Sequence, residues 1–203
     1  MPSHWTYSEF APESDLCQGD IVRRTPELLR VLEIVHSHFC EDKYTGFLVL
    51  TQTCDLVRRK GNACSARHIT LCVIRELDHL LPNLVGEICN TGIQGVYCAD
   101  SRYLAEQLLG RIVNQNEQAR GLFYLHPDAD AGIATQSVAL LRISIALRRE
   151  HYDVILESRC GRVAPDYSAK LGWLTGNLFS RVATPDWDEQ AGIDAGRSLA
   201  KTM

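Results

Sequence analysis

The sequence predicts an α+β fold: a strongly curved, mostly antiparallel sheet or small barrel, with helices packed on one side. Three observations predict it. Apolar or β-branched runs of strand length recur, as in FLVL, HITLCVI and SVALLRISIAL. Segments with apolar residues at helical spacing lie among them, as in RTPELLRVLEIV. No Pro/Gly/Ser-rich linker or block of charge divides the chain, so one core is expected.

Taken in order, residues 1–18 read as an N-terminal arm. Gly19-Asp20 opens a short strand at Ile21-Val22. A helix is expected over 26–36, because Thr25 suits the cap, Pro26 the first helical position and Glu27 the positive end of the dipole. Leu28, Val31, Leu32 and Val35 form its apolar face. A strand over 31–39 is the competing reading, since Leu32, Ile34, His36 and His38 alternate with polar neighbours. TGFLVL reads as a buried strand, LVRRKGNACSAR as a polar loop and HITLCVI as the next strand. Residues 79–99 fit neither period. A helix follows from a Ser101 cap, with Leu104, Leu108 and Ile112 on one face. GLFYLH is a strand. SVALLRISIAL is another, with Val138, Leu140, Arg142 and Ser144 facing opposite to Ala139, Leu141, Ile143 and Ile145. The last helix, AKLGWLTGNLFSRV, is expected to be capped by Ser168. Gly172 and Gly176 share a face there, which suggests the close approach of another element. The single α+β domain is placed at 19–187, and 188–203 as a tail or short helix.

Composition narrows the function classes. The chain has 203 residues, 45% of them hydrophobic and 23% charged, enough to bury a core without staples. Its formal net charge of −4 argues against a surface that is basic throughout. The N-terminal residues MPSHWTYSEFAPESD carry no apolar leader, and no run approaches the ~20 apolar residues of a membrane helix. A cytoplasmic protein with no membrane partner is expected. The eight cysteines include no C-x-x-C pair, so they read as free and mostly buried thiols. P-loop, G-x-G-x-x-G, G-x-S-x-G and H-E-x-x-H motifs are missing from the sequence. No cofactor or metal is expected.

The main site candidate follows FLVL, where Thr51, Gln52, Thr53, Cys54 and Asp55 run into Arg58, Arg59 and Lys60. If the strand continues, Thr51, Thr53 and Asp55 share one face, while Cys54 points with Leu48 and Leu50 as a core thiol. Asp55 would then meet Arg67 or His68 on the next strand. A binding site made of Thr51, Thr53, Asp55, Arg58, Arg59 and Arg67 is expected. A structural network satisfying the strand end is the alternative. Two weaker readings are Cys54 as a nucleophile with His68 or His126 as base, and His36, His38 and Cys40 as metal ligands. Arg23, Arg24, Arg58, Arg59, Lys60 and Arg67 could also position phosphates, though no aromatic residue interleaves with the loop.

The blocks GDIV, RTPELL, VLTQTCDLVRR, RHITL, AKLGWLTGN and FSRVATPDW resemble those of an uncharacterised bacterial family with a TQ(S/T)CDLVRR-type motif. More distantly, GDIV followed by FLVLT resembles the PemK/MazF-like toxins, small SH3-like β-barrels that cleave RNA. That resemblance implies a basic residue in the first loop, a role open to Arg23 or Arg24. It also implies a hydroxyl after the third strand, where this chain has Arg75 and Glu76. The expectation is therefore a non-catalytic binding or regulatory protein of a bacterial conflict or phage-defence (toxin–antitoxin-like) system, with a protein partner first and RNA second. The alternative is a metal-independent endoribonuclease using Arg23 or Arg24 on the phosphate, with Asp55 or His68 as acid/base.

Overall fold

A computed structural model describes residues 1–59, 62–88 and 99–180. The expected tail at 188–203 and the block FSRVATPDW beyond Ser180 lie outside the described residues, as do residues 89–98 of the unassigned stretch 79–99, whose described part holds the short helix α3 (Leu81–Gly86). Six strands form one antiparallel sheet: β1 (Asp20–Arg23), β2 (Gly46–Val49), β3 (His68–Glu76), β4 (Leu122–Leu125), β5 (Ser137–Arg148) and β6 (Arg159–Arg162). Their order is β4-β5-β3-β2-β1-β6. In β1, β2 and β3 the registers align Ile21 with Leu48, and Leu48 with Cys72.

Strands β1 to β4 alternate, and both faces of the sheet are apolar. Val22, Phe47, Val49, Leu71 and Leu122 point to one core; Ile21, Leu48, Cys72, Ile74 and Phe123 point to the other. A sheet buried on both faces needs cover on both. Helices α1 (Pro26–His36), α4 (Ala99–Val113) and α5 (Tyr152–Glu157) supply Leu28, Leu32, Leu108, Ile112 and Ile155 to the first core. Helix α6 (Pro165–Phe179) supplies Leu171, Leu174 and Leu178 to the second. Helices on one side only was therefore an incorrect expectation: two apolar faces are incompatible with it. The sheet curls into a half-barrel. The 3-10 turn Ala129–Ala131 after β4 reaches edge strand β6, where a Cβ on Gly161 would sit 2.3 Å from the Ala131 carbonyl oxygen.

The long strand β5 departs from simple alternation. Cys72 pairs with Ser144 but the next residue, Val73, pairs with Leu140. The intervening bulge flips the phase, so Ile145 and Leu147 join Val138 and Leu140 in the first core. The expected grouping of Ile145 with Ala139 and Leu141 is corrected accordingly.

Local signals set α1. The Thr25 side chain accepts from the Leu28 N–H, Pro26 stands at the start, and Leu28 and Leu32 are buried. The competing strand at 31–39 does not form, because the helix passes into a 3-10 turn at Ser37–Cys40. Val35 faces solvent. Helix α4 begins two residues before Ser101, which is not its cap, and Leu104 is exposed while Leu108 and Ile112 are buried. Helix α6 begins at Pro165, so Ser168 lies inside it and its Oγ donates to the Gln18 carbonyl. A Cβ on Gly172 would meet Gln18 Oε1 at 3.1 Å, so close approach accounts for that glycine; one on Gly176 would meet nothing.

The arm is bound along β6. Ser8 N–H donates to the Arg162 carbonyl, Ala164 N–H to the Thr6 carbonyl, and Leu16 is fully buried. Beneath it lies a buried ionic group. Asp20 has no exposed side-chain surface and meets Arg159 Nη1 at 3.3 Å and the Arg162 guanidinium. Arg159 also donates to the carbonyls of Ala11, Pro12 and Asp15, and packs on the Phe10 ring at 4.3 Å.

Asp20→Ala is expected to lower stability by roughly 3–5 kcal/mol in urea unfolding, because it leaves buried guanidinium charge uncompensated. Gly161→Ala is expected to cost about 1–3 kcal/mol, since backbone must move to admit the methyl group; a thermal melt checks it.

Candidate functional site

The stretch after β2 is not a strand. Leu50 N–H still bonds to the Thr70 carbonyl, but Thr51 Oγ1 then accepts from the Thr70 N–H at 2.7 Å. A side chain thus replaces the next ladder bond, and the main chain turns into the single helical turn α2 (Thr53–Leu56). Helical spacing replaces strand alternation, so Leu56 is buried and Cys54 is exposed. The core-thiol expectation for Cys54 is corrected on that ground. Thr53 Oγ1 accepts from the Gln18 N–H, which ties the turn to the arm. Asp55 takes the Ser65 hydroxyl at 3.3 Å, not Arg67 or His68. The Thr51 and Thr53 hydroxyls thus each accept from a main-chain N–H.

The arginine loop does make a site-like arrangement. Arg58 Nε donates to Asp15 at 2.7 Å, its Nη1 to Asp153 at 3.2 Å, and its guanidinium lies 4.7 Å from the Tyr152 ring centroid. Tyr152 hydroxyl accepts from the Leu16 N–H and donates to Asp15. Burial opposes the Asp15 charge, but hydrogen bonds from Arg58 outweigh it and hold the carboxyl below its ordinary value. The same bonds raise the Arg58 guanidinium. Arg58 is thus fixed as a cation at the mouth of a cleft of about 330 Å³, with Asn62, Arg149, Glu150 and Asp153 around it. Arg149 Nη1 donates to the Cys64 carbonyl across the cleft.

Beside the cleft, His68 lies directly opposite Arg148 in the β3–β5 ladder, and Arg149 N–H bonds to the Arg67 carbonyl. Arg59, Arg67, His68 and Arg148 are all exposed. None of these four side chains forms an ion pair or hydrogen bond among the described residues. The structure therefore brings Arg58 together with Arg149, and Arg67 with His68 and Arg148.

The set proposed for RNA cleavage does not assemble. Arg23 pairs with Gly46 at the start of β2, whereas α2 and His68 lie beyond its other end. Five residues of extended chain separate Gly46 from Thr51, on the order of 16 Å. Arg24 is also occupied, donating to the Cys40 carbonyl at 2.6 Å and to Asp42. Arg75 and Glu76 are the last two residues of β3, not residues that follow it as the sequence reading had them. His36, His38 and Cys40 do not share a strand face: His38 bonds Tyr44 hydroxyl and Glu41, while Cys40 Sγ contacts the Leu29 carbonyl. Among the described residues the Cys54 thiol hydrogen-bonds Gln52 Oε1, and no hydrogen bond joins it to a histidine.

Sequence reading missed Asp15, Arg149, Tyr152 and Asp153. Asp15 sat in a segment read as an arm, and REHYDV has the wording of any helix start, so no local signal marked them.

Asp15 predicts acid sensitivity. Its folded carboxyl titrates below the ordinary 3.8, so its contribution is complete above that value and is lost as pH falls through the lower folded one. Urea midpoints measured between about pH 5 and about pH 2 should fall steeply in the wild type, and less so in Asp15→Asn. A scan against family models, a search of curated proteins and a search of solved structures found no match to this chain.

Proposed function

We infer that this is a non-catalytic binding protein that holds an acidic protein partner at the arginine end of the sheet. One observation carries the reading. Arg59, Arg67 and Arg148 stand exposed without an acidic partner among the described residues, beside a cleft in which Arg58 is already fixed, on a chain of formal net charge −4. Unpaired surface guanidinium groups keep their bidentate donors for carboxylates of a partner. A protein is favoured over RNA because the Tyr152 ring is covered by Arg58 instead of being free to stack a base.

The SH3-like, PemK/MazF-type reading of the half-barrel belongs to this proposal. It is supported by GDIV entering β1, which pairs antiparallel with the FLV of β2. The conflict or phage-defence setting is carried by that resemblance alone. Within it the protein is a regulatory relative in which the basic first-loop residues Arg23 and Arg24 have been separated from Asp55 and His68.

A fluorescent oligoglutamate peptide serves as the acidic probe. The wild type should bind it in a salt-sensitive manner, and a variant carrying Arg59→Glu, Arg67→Glu and Arg148→Glu should bind at least roughly tenfold more weakly. Single-stranded RNA incubated with the protein should be recovered intact. RNA cleavage that disappears in Arg24→Ala would replace this reading with the endoribonuclease.

A further inference from the structure

A second pocket, sharing no lining residue with the arginine cleft, lies between the N-terminal arm, the end of α4, the end of β4 and the start of α6. Its volume is about 390 Å³, within the small-ligand range of roughly 300–1,000 Å³. We propose that it binds a nucleobase, either in a free nucleoside or in a single-stranded nucleic acid.

The walls are aromatic. Trp5 is 71% exposed although it is the largest apolar side chain of the arm. It meets Tyr167 of α6 edge to face, with centroids 5.2 Å apart. One face of Trp5 lies towards His4, with centroids 5.7 Å apart. An exposed indole fixed by two neighbours is a stacking platform that loses little freedom when a flat ring covers it.

The polar groups select the kind of ring. His126 stacks on His4 at 4.1 Å, and its own burial together with His4 lowers its pKa below the ordinary 6.5, so it is neutral at pH 7. A neutral imidazole presents one donor and one acceptor. Asp166 adds an acceptor and Lys170 a donor on successive turns of α6, and their charges cancel. Lys170 lies over the Trp173 ring instead of pairing with Asp166. A purely apolar ligand would leave the His126 imidazole without a hydrogen-bond partner. A flat neutral heterocycle with donors and acceptors on its edge satisfies all of these groups, which is the chemistry of a nucleobase.

The pocket is also pre-formed. Gln115, which lines it, is the sole non-glycine residue with positive φ (58°) among the described residues. Its buried amide bonds both the N–H and the carbonyl of Tyr124, which holds that conformation in place. The buried double hydrogen bond fixes this part of the pocket wall.

Equilibrium dialysis of the full chain against each of the four common ribonucleosides, and against a short single-stranded RNA, tests the proposal. At least one nucleoside is expected to bind with a Kd between about 1 μM and about 1 mM. Trp5→Ala should weaken it about tenfold. Val113→Trp, which fills the pocket from the α4 side and leaves every arm residue unchanged, should weaken it as much. It decides the matter if Trp5→Ala lowers the thermal melt. Binding of the RNA alone, lost in the same variants, assigns the base to nucleic acid and upholds the proposal. No retention of any nucleoside or of RNA at about 1 mM, or retention unchanged by both variants, overturns it.

Discussion

Asp20 sits without exposure between two guanidinium groups of β6, and three separate parts of the chain meet through it. It is the first residue of β1, so the bonds to Arg159 and Arg162 lock the β1–β6 edge. Its carboxylate also accepts from the Cys17 N–H, and Arg159 and Arg162 donate to carbonyls of residues 11–15. The arm is therefore held down by charge that the sheet itself buries. A buried ion pair adds little net stability compared with apolar packing, but removing one partner leaves an uncompensated buried charge. Here the ionic group sets where the arm runs, and with it the positions of Asp15, Leu16 and Gln18.

Both sites depend on the arm. Asp15 fixes Arg58 at the arginine cleft, and Gln18 N–H anchors the Thr53 turn. At the other end, Asp128 accepts from the backbone N–H groups of Ser3 and His4 and places Trp5 against Tyr167. Burial opposes the Asp128 charge, yet those N–H groups with that of Ala131 hold its carboxyl below the ordinary range. A segment with little secondary structure of its own thus shapes two separate surfaces of the molecule.

How far the site was legible depends on the range of the interaction concerned. Helix α1 could be read because Thr25, Pro26 and Glu27 act within one turn. The Thr51–Asp55 segment was misread because strand alternation holds only while ladder bonds continue, and a single threonine hydroxyl ended them. Ser168 looked like a cap by the same local logic, but its hydroxyl serves Gln18, 150 residues away. The aromatic pocket left no trace in sequence, since Trp5, Gln115, His126 and Tyr167 come from four distant segments.

By itself the sequence determined the class of fold: period-two apolar runs require a sheet, period-3.6 runs with caps require helices, and both signals act over a few residues. Tertiary structure decided the rest. The curl of the sheet, the phase change in β5 and the helices on both faces follow from pairings between distant strands. The partners of Asp20 lie 139 and 142 residues along the chain. Its burial, the separation of Arg24 from His68, and the convergence of the exposed arginines exist only once those pairings are made, because charge and desolvation depend on distance in space.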